Sequence, residues 1–237
     1  MAATFTGFTP EAIHFLLELS VNNDRGWFQP RKAEYERLLK EPLEALCTDL
    51  GERFRRRKIP LRADTGSPFR IYRDVRFSKD KSPYKTYVSA SFPWDEPGTP
   101  AAAPRGHAEG VHRPGGYFSF SPDQAYLGGG MWHADRAHLE AWRALVVDEP
   151  KRLHAVIDAP KFKKAFGDLD AEDRLKRVPP GYPADHPDAE LLKLKDVLFG
   201  RRLTDAEALS PDLPDVLTDA FATATPMLRL LASLASK

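Results

Sequence analysis

The hydrophobic positions change their period twice along the chain. From Thr9 to Asn23 they read as a helix: Ile13, Leu16, Leu17 and Ser20 share a face, with Leu19 beside them. Thr9 stands at the cap, Pro10 at the first helical position, and Glu11 meets the positive end of the helix dipole. Asn22-Asn23 ends this helix as a C-cap, with Trp27 and Phe28 in the turn that follows. A second helical stretch begins near Pro30, carries Tyr35, Leu38 and Leu39, and is kinked or restarted at Pro42, which has no N–H for the preceding turn. Leu43, Leu46, Cys47, Leu50 and Phe54 continue its stripe to about Arg56.

The period then drops to two. Thr86, Val88, Ala90 and Phe92 alternate with Tyr87, Ser89 and Ser91, which predicts a strand with one buried face. Tyr117–Ser121 and Gln124–Met131 predict two more strands joined by a Ser121-Pro122-Asp123 turn. The Pro-, Gly- and Ala-rich segment 93–116 predicts a flexible hairpin loop that tolerates shortening. Helical spacing returns over Asp135–Val147, Pro150–Ile157, Ala189–Leu194 and Pro214–Leu234. With neither repeat nor linker, helix–sheet–helix blocks predict one α+β domain over residues 1–237, a central antiparallel sheet packed with N-terminal and C-terminal helices.

Composition narrows the function. A net charge of +1 on 237 residues argues against a generic nucleic-acid or membrane-surface protein, so any basic site must be local. One cysteine, Cys47, excludes an internal disulfide and a multi-cysteine metal site, and its place on a helical apolar stripe predicts a buried, inert thiol. The seven histidines show no metal-binding spacing; His107 and His112 share the 93–116 loop. No metal and no cofactor is expected. No apolar run reaches the roughly 18 residues of a membrane span, and Met1-Ala2-Ala3-Thr4 opens no signal peptide, so the expected location is cytoplasmic, away from membranes.

One segment departs from the balanced charge. Arg70–Lys85 holds six basic and two acidic residues, a local charge of +4. Read as a strand, its odd positions are Phe69, Ile71, Arg73, Val75 and Phe77, which puts a guanidinium on an apolar face, where it must be paired or face a polar cavity. The even face gathers Arg70, Tyr72, Asp74 and Arg76. Arginine forks match carboxylate or phosphate oxygens in pairs, so the cluster is a candidate anion site, while solvated salt bridges are the ordinary alternative. Lys79, Lys81 and Lys85 would add field at its rim, Tyr84 would line it, and Asp74 or Asp80 would orient an arginine or act as a base. Gly128-Gly129-Gly130 at the end of a strand marks a bulge or a close approach, with Gly129 and Gly130 the candidates to meet a ligand. Lys176 and Arg177, followed by the rigid Pro179-Pro180-Gly181-Tyr182 turn, could complete the pocket through Lys176, Arg177 and Tyr182. No nucleophile elbow or phosphate loop occurs, so no catalytic residue can be named.

The run from Arg73 to Thr86 resembles the signature of a bacterial and fungal family catalogued as domain of unknown function 2461. Asn22-Asn23 with Trp27-Phe28, Gly128-Gly129-Gly130, and Leu175-Lys176-Arg177 with Pro180-Gly181-Tyr182 resemble it too. The resemblance supports a fold and a site location and implies no reaction. The leading expectation is a small phosphate- or carboxylate-bearing ligand in an arginine-lined pocket, with phosphoryl or nucleotide hydrolysis the most compatible chemistry. The alternatives are a nucleic-acid-binding module stacking bases on Tyr72, Tyr84 and Tyr87, and a structural or interaction domain whose arginines are paired internally. A concave pocket favours the first, an open basic face the second, and arginines fully paired with carboxylates the third.

Overall fold

The computed structural model describes residues 4–76, 78–96 and 113–234. Phe77 and residues 97–112 of the expected hairpin loop, His107 and His112 among them, lie outside the described residues. The fold is α+β with an antiparallel four-stranded sheet, as the sequence predicts. The elements are α1 (Pro10–Val21), α2 (Arg25–Phe28), α3 (Lys32–Tyr35), α4 (Glu41–Arg57), β1 (Val88–Pro93), β2 (Gly115–Phe120), β3 (Ala125–Met131), α5 (Arg136–Asp148), α6 (Pro150–Ile157), α7 (Pro160–Phe166), α8 (Ala189–Leu192), β4 (Val197–Leu203), α9 (Asp205–Leu209) and α10 (Leu213–Leu234). The strand order is β1-β2-β3-β4. Contacts divide the chain into two compact units, the first made of residues 1–92, 117–127 and 202–219, the second of 93–116, 128–201 and 220–237.

In the first unit, α1 buries Ala12, Phe15, Leu16 and Leu19. That stripe is rotated from the predicted one: Leu17 is 48% exposed and Ser20 faces solvent, because Phe15 supplies the large anchor. The second helical stretch is one run of turns from Arg25 to Arg57, tightened to a 3₁₀ turn at Gln29–Arg31 and widened to a π turn at Glu36–Lys40. The wide turn lies immediately before Pro42, whose missing N–H the regular ladder would have to absorb. Leu43, Leu46, Cys47, Leu50 and Phe54 are buried on α4 as predicted, and Phe54 meets Phe92 of β1 edge-on at 5.9 Å. Phe8 stacks on Phe120 at 4.4 Å. Arg53 and Arg57 reach Asp215 and Asp219 of α10.

In the second unit, Phe162 and Phe166 of α7 pack on Phe199 of β4, and the buried Trp142 of α5 donates its indole N–H to the Leu191 carbonyl of α8 at 2.9 Å. The glycines of β3 have a packing cause. A Cβ on Gly129 would lie 2.6 Å from the Gly115 carbonyl oxygen, and one on Gly130 would run into the Val197 carbonyl oxygen of β4. Gly130 also has φ +129°, a conformation that L side chains rarely adopt. Neighbouring backbone makes the close approach there. His154 of α6 sits between two carboxylates, Nδ1 at 2.6 Å from Asp158 and Nε2 at 3.0 Å from Asp188. Hydrogen bonds to Asp188, then Asp158, raise its pKa above the ordinary 6.5.

Two outcomes are expected. Gly130→Ala loses about 2–4 kcal/mol in urea unfolding, because it adds both a collision and a strained φ; wild-type stability would disprove that account. Because folding raises the His154 pKa, its contribution is complete below the unfolded value near 6.5 and disappears as pH rises through the folded value. Melting temperature should therefore fall across that interval in the wild type, and His154→Gln should flatten the dependence.

Candidate functional site

The Arg70–Lys85 segment is the end of a hairpin arm in the first unit. Its two sides pair antiparallel through Ser91 N–H to Ser67 C=O (3.1 Å), Phe69 N–H to Ser89 C=O (2.8 Å), Lys85 N–H to Ile71 C=O (2.8 Å) and Arg73 N–H to Pro83 C=O (2.9 Å). Only isolated bridges form, Pro68 with Ala90 and Tyr72 with Tyr84. Pro83 interrupts the expected regular strand, because its carbonyl accepts from Arg73 N–H but it has no N–H to return the bond. The expected apolar odd face fails with it: Ile71 is buried, but Phe69 is 45% exposed.

The arm is fastened to the turn between α1 and α2. Asn22 caps α1, and Asn23 does something different: its side-chain oxygen accepts from Tyr84 N–H and its side-chain nitrogen donates to Tyr84 C=O, each at 3.0 Å. One carboxamide thus satisfies both polar groups of one residue. The Tyr84 ring is buried, stacked on Phe28 at 4.1 Å and beside Tyr72 at 5.4 Å. Its hydroxyl has no hydrogen-bond partner among the described residues. A buried ring cannot serve as a stacking platform, which removes Tyr84 from the nucleic-acid reading; Tyr72 and Tyr87 remain exposed.

Most of the charged side chains find partners within the arm. Arg73 is 29% exposed and pairs with Asp80. Asp80 also accepts from the Ser82 backbone N–H (2.9 Å) and hydroxyl (2.6 Å), an Asx turn that tightens the tip. Arg76 grips Asp74 with two nitrogens, Nε at 3.0 Å and Nη2 at 2.7 Å, and Lys81 donates to the Val75 carbonyl at 2.9 Å. The bond from Arg76 holds the Asp74 pKa down at about 2. The Ser82 hydroxyl first, and Arg73 next, pull Asp80 well below the usual carboxylate range. Both carboxylates are ionised at neutral pH and weakly basic, so they orient arginines and make poor general bases. Lys79 is exposed.

Arg70 and Lys85, like the exposed Lys79 and Lys81, have no carboxylate partner among the described residues. Arg70 is exposed, whereas Lys85 is half-buried, its ammonium 5.1 Å from the Phe69 ring centre and 5.8 Å from that of Tyr87. Burial first, and the Arg70 charge second, lower the Lys85 pKa. Lys85 opens onto a cleft of about 520 Å³, lined also by Ser20, Asn23, Arg73, Asp74, Asp80 and Tyr87. Sequence reasoning missed Ser20, Asn23, Ser82 and Thr86 as lining residues, and named Tyr87 only as a stacking ring in the nucleic-acid alternative. The Asn22-Asn23 pair carried a signal, but an asparagine after a helix looks like a cap whether or not it also reaches across the chain.

The other candidates belong to the second unit. Gly129 and Gly130 are buried inside β3, and Lys176 and Arg177 are exposed. Tyr182 is half-buried and, with Pro179, Pro180, Arg136 and Glu140, lines a separate groove of about 750 Å³. No group of histidine, cysteine and carboxylate side chains suited to a metal ion occurs among the described residues.

A family model described as conserved hypothetical protein (DUF2461) matches residues 11–229. No match was found among curated proteins, and none among solved structures.

The clamp makes a direct prediction. Asn23→Ala leaves the Tyr84 N–H and C=O without partners and should cost about 1–3 kcal/mol in denaturant unfolding. Asn23→Asp, which keeps an acceptor and loses the donor, should fall between wild type and alanine; an alanine variant as stable as wild type would mean the clamp is idle.

Proposed function

The chain belongs to the DUF2461 family, and we propose that the cleft on its first unit binds a small cytosolic molecule through a phosphate or carboxylate group held by Lys85, with Arg70, outside the cleft lining, adding positive field. The observation that carries this reading is the state of Lys85: a half-buried ammonium, close to another cation, at a cleft, with no carboxylate partner among the described residues. An anion there removes the repulsion from Arg70 and offsets the loss of hydration. Arg73 and Arg76, already joined to Asp80 and Asp74, serve as a frame that holds the arm in shape. Binding is favoured over hydrolysis because the two aspartates are too weakly basic to activate water.

The paired arginines also favour a second reading, an arm whose charges are purely structural. Lys85 separates the two. Titrating inorganic phosphate, pyrophosphate and citrate at fixed ionic strength should raise the melting temperature of the wild type. Ligand at a hundred times its Kd contributes about 2.7 kcal/mol, roughly 5–10 °C for a chain of this size. Lys85→Met keeps the stem against the rings and should lose the rise. Because burial lowers the lysine pKa, the rise should also shrink as pH climbs through that lowered value, where the ammonium loses its proton. If none of the three anions stabilises the wild type, the structural reading stands.

A further inference from the structure

The surroundings of Lys85 suit more than a bare anion. Phe69 is 45% exposed and Tyr87 36% exposed, large rings that the fold leaves partly in water near one ammonium. Tyr87 lines the cleft. A phosphate or carboxylate bound at Lys85 would lie beside these two rings, and a flat group attached to it could cover them. The cleft lining carries Arg73 and Lys85 against Asp74 and Asp80, equal numbers of each sign. A polyanionic strand continuing past Lys85 would run against ionised carboxylates, whereas a ligand with its negative charge at one end avoids them.

From this we infer that the ligand is a mononucleotide, its phosphate on Lys85 within the field of Arg70 and its base against Tyr87, reaching toward Phe69 beside the cleft. The inference rests on the anion-binding reading of the same cleft. Aromatic stacking is sequence-tolerant, because every base has a π face, so the site should take all four bases with small preferences. Stacking contributes about 5- to 150-fold in affinity per base.

The test compares nucleoside 5′-monophosphates with ribose 5-phosphate, which carries the same phosphate and sugar without a base, and with inorganic phosphate and a twelve-residue oligothymidylate, all by calorimetric titration of the full chain. The expected result is that each nucleotide binds at least fivefold more tightly than ribose 5-phosphate. In Tyr87→Leu and Phe69→Leu, both at exposed positions, this ratio should collapse toward one. Circular dichroism and melting temperature identify a variant that has lost its fold, and in that case the remaining variant and the wild-type ratio decide. If ribose 5-phosphate and the nucleotides bind equally, the nucleotide inference is overturned while anion binding survives. If no compound binds, both fail. If the oligonucleotide binds more tightly than any mononucleotide, with affinity falling steeply with salt, the site is a nucleic-acid surface and the inference is overturned in that direction.

Discussion

The hold of Asn23 on Tyr84 is the constraint on which the cleft depends. A peptide unit at the edge of a broken ladder has little to fix its register, since Pro83 beside it cannot donate. With both polar groups of Tyr84 bound to one carboxamide, the residue cannot slide along the arm. Its ring is then committed inward against Phe28, and Lys85 is committed to the cleft. A slip of one residue would exchange them, burying an ammonium and exposing an aromatic ring, which is why register is worth specifying at this point.

The elements legible in the sequence are those whose burial is one-sided and whose ends carry local chemistry. Pro150 opens α6 where expected, Asp135 caps α5 by accepting from His138 N–H, and the Ser121–Gln124 turn closes β2 onto β3. The strand β4 escaped notice because Val197-Leu198-Phe199-Gly200-Arg201-Arg202-Leu203 breaks alternation with a glycine and two adjacent arginines. The short α7 escaped too: three lysines in seven residues mask the two phenylalanines that it buries. On α1 the period was right and the phase was wrong, because Leu17 scores as highly as Phe15 on any hydrophobic scale and only the packed neighbour chooses between them.

The charged segment was visible as a site candidate, but the roles inside it were not. A sequence shows six cations and two carboxylates; it does not show which cations the carboxylates occupy. That is decided by the Asx turn at Asp80–Ser82, which presents Asp80 to Arg73 seven residues back, and by the local fold that brings Arg76 round to Asp74. Two of the three arginines that drew attention, Arg73 and Arg76, are thereby spent on structure. Among the cations left without a carboxylate, the half-buried one is Lys85, which a linear reading places at the rim.

A lysine at that point has a physical logic. A guanidinium stays charged at any accessible pH, so an arginine left half-buried beside Arg70 would carry the full penalty in the empty cleft. An ammonium can lower its pKa and can rest over aromatic faces in the meantime, as Lys85 does with Phe69 and Tyr87. Such a group is held at a cost that the proposed anion would relieve, so part of its affinity would come from relieving that cost. The paired arginines differ: their interactions with Asp80 and Asp74 are made within the arm itself. In a chain whose total charge is near zero, the proposed division between paired arginines and a half-buried lysine would let the cleft select an anion without making the whole surface attractive to every polyanion.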